Sequence, residues 1–318
     1  PVKGLSRGVI YDLQRGSIFY VPNSFIDLLT SNSEKLLFEI FKEYKKQKKL
    51  VEKYFQYLID NELIFLTEQL ENFPNNSFQF NKPFLLDVLF MEIDLLQISK
   101  ISLLKNINFL GCVKIVFISK EKLDFDKLKE VLDVLILSKV QSIELLTKYN
   151  SKSLKLLSKI RDNSPRFHRI YFFQSSKTIK SLDKNLVFNQ ETIEKVLTKR
   201  ITVVNDFILN QNAYIESIHH NLFFNRKVYI DNQGNIKNYF NTEKIFGNIL
   251  KDDIIAIIKT KSFKRLWNIT KDQIEVCNSC EFRYICPDNR IPILKNDQKD
   301  IYKHNTNCNY DPKTINWN

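Results

Sequence analysis

Residues 276–290 read V-C-N-S-C-E-F-R-Y-I-C-P-D-N-R, and residues 307–312 read N-C-N-Y-D-P. These stretches hold four of the chain's five cysteines, Cys277, Cys280, Cys286 and Cys308, spaced C-x2-C-x5-C-x21-C. Cys277 and Cys280 form a knuckle on a tight turn, Cys286 follows closely, and the fold must bring Cys308 back. Four thiolates supply a closed shell that suits either a structural zinc or the four irons of a [4Fe–4S] cube. Deprotonated sulfur is the ligand in both, and spacing alone does not choose between them. His304, four residues before Cys308, is a zinc donor by type, but with four cysteines present it reads as a solvated loop residue. Two disulfides would also consume the four cysteines. A 318-residue chain with five cysteines and no visible secretory segment instead reads as cytoplasmic, where thiols stay reduced.

Working outward, the composition fits a globular chain with ample core, two or three domains long. The net charge of +12 comes from scattered lysines. A basic balance points to an acidic partner. Nucleic acid is disfavoured, because there is no compact Lys/Arg stripe, helix-turn-helix cue or aromatic RNA-binding pattern. An acidic peptide is the better candidate. No apolar run approaches the ~20 residues that span a bilayer. The sequence opens at Pro1 rather than a methionine, so a native start is expected upstream.

Residues 1–74 read as one module. Val9–Tyr11 and Ile18–Val21 predict a hairpin, followed by three helices: one capped near Asn23, one from Ser33, and one from Leu50 with Tyr54, Tyr57 and Leu58 on a face. Ile64–Leu66 predicts a returning strand, and the polar run 71–77 a linker. Residues 75–225 alternate strand and helix. Strands are predicted at 85–93, 114–118, 142–146, 169–173 and 201–204. Helices are predicted at 99–110, 125–137, 153–161 and 192–197. That alternation argues a parallel sheet built from β/α units. Residues 226–318 add a hairpin around Gly234, an Ile-rich helical stretch and the cysteine segment. The fold class is therefore α/β.

The cysteine spacing resembles the SPASM domain, the C-terminal extension of radical S-adenosylmethionine enzymes that modify peptides. The opening P-V-K-G-L-S-R-G-V-I-Y-D-L-Q-R, the G-N-I-K-N turn and C-E-F-R-Y-I-C-P-D resemble the SPASM-bearing maturase of grasp-with-spasm cassettes. Those cassettes make ribosomally synthesised, post-translationally modified peptides (RiPPs). They encode a precursor peptide, an ATP-grasp ligase and this maturase. The resemblance implies a winged-helix-like RiPP recognition element at 1–74, a partial radical-SAM-like β/α barrel at 75–225 and a SPASM-like domain at 226–318. It further implies one auxiliary [4Fe–4S] cluster on Cys277, Cys280, Cys286 and Cys308, with zinc as the alternative. A full SPASM domain carries a second cluster; here Arg290 stands where one of its cysteines would be, and the turn near Gly234 has none.

The radical SAM triad C-x3-C-x2-C is also missing. The stretch after residues 85–93 reads D-L-L-Q-I-S-K, and Cys112 is a lone core cysteine. Glu92 and Asp94 at that strand end read as helix caps, and His219–His220 as one buried and one solvated ring. Arg283 and Arg290 read as salt-bridge partners. The expected function is a non-catalytic accessory protein that binds the precursor peptide and works with the ligase. No catalytic residue is assigned. The peptide-binding edge is expected at Ile18, Phe19 and Tyr20, with Tyr54 and Tyr57 as the opposite wall. The alternatives are a redox enzyme acting on the peptide without S-adenosylmethionine, and a zinc-bearing nucleic-acid binder.

Overall fold

A computed structural model describes residues 1–69, 72, 78–93, 107–121, 123–176, 183–295 and 300–317. The chain divides into two compact units. One comprises Pro1–Phe80, Ile201–Leu222 and Ile269–Asn318; the other comprises Asn81–Arg200 and Phe223–Asn268. Both are discontinuous, so the first 80 residues and the cysteine segment belong to a single unit.

That unit begins with a three-stranded antiparallel sheet in the order β1-β2-β3: β1 (Val2–Lys3), β2 (Gly8–Asp12) and β3 (Ser17–Val21). The β2–β3 turn forms because the Asp12 carboxylate accepts from the amides of Gln14 and Arg15, and Gly16 takes φ +68°. Three helices follow: α1 (Asn23–Ser31), α2 (Leu37–Glu43) and α3 (Lys48–Asp60). The sheet buries both faces. Ile10 and Val21 pack with Phe25, Ile26 and Leu58 of the helices, while Val2 and Val9 pack with Phe282, Ile285 and Tyr310 of the cysteine segment. Successive residues of a strand point to opposite faces, so Val9 and Ile10 serve different cores.

The expected strand at Ile64–Leu66 is not there. The amide of Leu63 caps α3 by bonding the Leu58 carbonyl (2.8 Å), and Phe65 and Leu66 emerge exposed. The third strand of the sheet comes instead from the front of the chain, as β1.

The second unit holds an eight-stranded mixed sheet. Its first strands are β4 (Val88–Glu92), β5 (Lys114–Ser119), β6 (Ser142–Lys148), β7 (Phe167–Phe173) and β8 (Leu186–Phe188), each parallel to the next. On the far side of β4 lies β9 (Lys227–Ile230), also parallel. Antiparallel β10 (Asn235–Lys237) and β11 (Gly247–Asn248) finish the edge. Strands β4 and β5 are apolar nearly throughout, as expected of strands buried on both faces. The connecting helices start at side-chain caps: Asp124 for Phe125–Leu135 and Asn150 for Ser151–Asp162. The order runs from β11 to β8, leaving the sheet open among the described residues.

The fifth expected strand, 201–204, is also displaced. The Asp206 carboxylate accepts from the amides of Thr202 (2.9 Å) and Val203 (3.3 Å). This local bonding bends the β-branched run into a 3₁₀ turn at Val204–Asp206, and β8 takes the sheet position. Of the helix expected over 99–110 only Ile107–Leu110 is among the described residues, and so is only Asn72 of the linker. No helix among the described residues is long and apolar enough to cross a membrane.

Candidate metal centre

Cys277 opens a 3₁₀ turn, Cys277–Ser279, entered through Val276 at φ +68°. Cys280 leaves that turn in an extended conformation, and its sulfur accepts from the Phe282 amide at 3.4 Å. The resulting bend aims the knuckle into the unit. The next turn ends at Cys286, and Cys308 lies two residues before β14 (Tyr310–Asp311), which pairs with β15 (Asn316–Trp317). Strands β12 (Pro292–Leu294) and β13 (Tyr302–His304) form the hairpin that carries the chain from Cys286 towards Cys308.

These elements bring the four cysteines into one neighbourhood. Cys280 and Cys308 pack against the same core of Phe282, Ile285 and Tyr310, and Cys277 and Cys308 line the same cleft of about 480 Å³. All four are free thiols. Burial raises the thiol pKa of Cys277 and Cys280, and that of Cys286 up to about 12, with Lys271 pulling Cys277 and Cys286 the other way. Ionisation of Cys277 would raise the thiol pKa of Cys280 and Cys286 further, and ionisation of Cys308 that of Cys277 and Cys286. Among the described residues, no three His, Cys, Asp or Glu side chains are drawn into the shell of a single ion.

Beside the thiols lies a buried ionic network that the sequence does not reveal. Asp288 receives Lys271 Nζ at 3.3 Å, Arg290 Nη2 at 2.6 Å and Arg290 Nε at 2.8 Å. Lys271 is only 2% exposed. Arg290 also donates to the Thr306 carbonyl (2.7 Å), two residues before Cys308. His304 is a correction to the sequence reading: its side chain is 4% exposed, not solvated, and its Nε2 lies 3.4 Å from Asp288. Burial, then the nearby Lys271, lowers its pKa to about 3, so the ring is neutral at pH 7. Burial opposes charge on Asp288, yet the two cations hold its carboxyl well below the usual carboxylate range.

Chemically, the donor set fits a thiolate-bound metal centre. Four cysteines would be the ligands, and buried cations offset the negative charge that thiolates bring. Arg283 and Arg290 are ion-pair partners, as expected: Arg283 Nε lies 3.0 Å from Asp272 and its Nη1 donates to the Lys3 carbonyl at 2.7 Å.

The expected peptide edge is an edge strand, since among the described residues β3 pairs only with β2. Ile18 and Phe19 are half-buried against the two flanking cores, whereas Tyr20 is exposed. Ile18 packs on the cysteine-segment side, Phe19 meets Tyr57 edge-on at 6.4 Å, and Tyr20 lies under the Arg7 guanidinium at 3.9 Å. Tyr54 stacks on Phe25 at 4.2 Å and Tyr57 touches the same ring, so both help fill the helical core.

Of the remaining candidates, Cys112 is buried, with its thiol near the Lys114 carbonyl and its pKa pushed up to about 12 by burial. The stretch that Glu92 would cap lies outside the described residues. Glu92 is a buried carboxylate that takes an ion pair from Lys120 (2.8 Å) and a short hydrogen bond from the Tyr229 hydroxyl. Asp94 and the rest of 94–100 lie outside the described residues. His219 ends the helix Gln211–His219 and lies 2.6 Å from the Phe78 carbonyl, while half-buried His220 packs on Phe80 at 5.1 Å. The two rings are 6.5 Å apart. Comparison with protein-family models, curated proteins and solved structures finds no match.

Proposed function

We propose that this chain is the SPASM-bearing maturation protein of a RiPP cassette of the grasp-with-spasm kind. In this reading residues 1–74 are a winged-helix-like peptide-recognition module, the large sheet is a partial radical-SAM-like barrel, and the C-terminal segment is SPASM-like. It works in the cytoplasm, captures a precursor peptide and presents it to an ATP-grasp ligase without catalysing the bond itself. One [4Fe–4S] cluster is bound by Cys277, Cys280, Cys286 and Cys308. The observation that carries the reading is the gathering of these four free thiols beside buried Lys271 and Arg290, at the segment that packs on the N-terminal sheet. When bound, the cluster would cross-link the two cysteine-bearing segments and so add its binding energy to folding. The protein's own contributions are the open backbone edge of β3 for strand addition and a basic surface for an acidic leader.

The test is anaerobic purification with iron, sulfide and zinc analysis. About four irons and four sulfides per chain are expected for a cube. Ala at Cys277, Cys280, Cys286 or Cys308 should abolish stoichiometric metal, and Cys112→Ala should leave it unchanged. One zinc and no sulfide would replace the cluster with a structural zinc. Metal retained in Cys308→Ala and lost in Cys112→Ala would refute the ligand set.

A further inference from the structure

The most unusual group of side chains in the described chain is the buried trio Lys271, Asp288 and Arg290. Burying an ammonium and a guanidinium is costly unless each is paired. Here both cations share one carboxylate: Asp288 Oδ2 lies 3.3 Å from Lys271 Nζ and 2.6 Å from Arg290 Nη2. The trio therefore keeps one positive charge in excess, with His304 beside it uncharged. Its position is fixed by the segments that carry the cysteines. Lys271 begins the 3₁₀ turn Lys271–Gln273, one short connection before Cys277. Asp288 follows Cys286 by two residues, and Arg290 lines the same cleft as Cys277 and Cys308 while bonding the Thr306 carbonyl. The turn that holds Lys271 packs against the turn that opens at Cys277, and Asp288 is shared between both cations, so the excess positive charge lies beside the cysteine-bearing turns.

Resting on the cluster reading above, we propose that Lys271, steadied by Asp288 and Arg290, is the charge-compensating residue that sets the reduction equilibrium of the metal centre. A cluster on four thiolates is anionic and gains one more negative charge when reduced. A fixed buried cation stabilises the reduced form and raises the potential, and low local dielectric keeps that effect unscreened. Lys271 touches no substrate in this role; it is a positioning residue that acts through the field at the sulfurs.

The experiment is protein-film voltammetry on the full chain loaded anaerobically with iron and sulfide, with metal content measured in parallel. Lys271→Met should keep the iron and shift the one-electron equilibrium at least tenfold towards the oxidised state, a fall of about 59 mV. Lys271→Arg should stay within threefold of the parent. Asp288→Asn, which removes the shared anion, should shift the equilibrium the opposite way. If Lys271→Met sheds its iron, retention in Lys271→Arg supports charge compensation, whereas loss in both assigns Lys271 to packing and overturns the proposal. An unchanged potential in iron-loaded Lys271→Met also overturns it and leaves the cluster standing. A parent chain that takes up no iron and sulfide refutes the cluster itself, before any variant is made.

Discussion

The sharpest test of how the two ends of the unit are joined is the Arg7–Glu281 pair. Glu281 follows Cys280, and its carboxylate is fully buried; Arg7 precedes β2 and is about a quarter exposed, 25%. Arg7 Nε meets Glu281 Oε1 at 2.9 Å, and the Tyr310 hydroxyl donates to the same oxygen. Glu281 Oε2 has no hydrogen-bond partner, so Arg7 and Tyr310 carry the neutralisation of this carboxylate between them. Removing Arg7 strands a buried anion, and removing Glu281 leaves a guanidinium that reaches water. The costs are therefore unequal. Arg7→Met should destabilise by about 3 kcal/mol, near the lower bound for breaking a buried pair, and Glu281→Leu by about 2 kcal/mol. The double variant should cost about 2 kcal/mol less than the sum, the coupling of one charge-assisted bond discounted for the exposed side of Arg7.

Urea unfolding of the metal-free chain measures this, provided the signal reports the right unit. The chain has two tryptophans, Trp267 and Trp317. Trp317 packs 5.0 Å from Tyr310, beside the pair, whereas Trp267 lies in the other unit. A Trp267→Phe background therefore isolates the relevant transition. A coupling below about 0.5 kcal/mol would refute the claim that this ion pair ties the N-terminal sheet to the cysteine segment.

Three further outcomes are expected. In the metal-free chain, stability should fall as pH drops from about 6.5 towards 3. Folded His304 stays neutral with its pKa lowered to about 3, while the unfolded chain takes up the proton near its ordinary value, so stability is present above the unfolded pKa and lost below it. His304→Asn should flatten this window in pH-dependent urea titrations, and an unflattened curve would assign the slope elsewhere. With reductant and S-adenosylmethionine, the loaded protein should release no 5′-deoxyadenosine above background by chromatography, because no C-x3-C-x2-C triad exists in the sequence. Titration calorimetry of the full chain with precursor peptides should show a leader with central proline binding far more weakly than its alanine counterpart, because proline removes a donor from the added strand; equal affinities would rule out pairing with β3.

What was legible in the sequence was local. The β2–β3 hairpin follows from the β-rich runs Val9–Tyr11 and Ile18–Val21, and the parallel strands from apolar runs such as 114–118. Each of these signals is decided within a few residues. The misplaced strands fail for a related reason. Ile201–Val204 has strand-forming residues, but one carboxylate two positions further on captures its amides, and Ile64–Leu66 has no strand to pair with among the described residues. Propensity describes what a segment tolerates, whereas pairing depends on what lies beside it.

The candidate centre divides along the same line. Its ligand candidates were readable because C-x2-C-x5-C is a short spacing whose chemistry is specific. Of its surroundings only Arg290 was read, because Lys271, Asp288 and His304 are ordinary surface types until the fold closes over them. Arg7 and Glu281 are 274 residues apart, and neither carries a local signal of the other. Yet these buried charges bear on what the centre can be. Lys271 and Arg290 share one carboxylate, so the excess positive charge is balanced when the neighbouring sulfurs are thiolates and is left exposed to its own field when they are thiols. Side chains without a local signal in the sequence are therefore the ones that would offset thiolate charge at the cysteines it singles out.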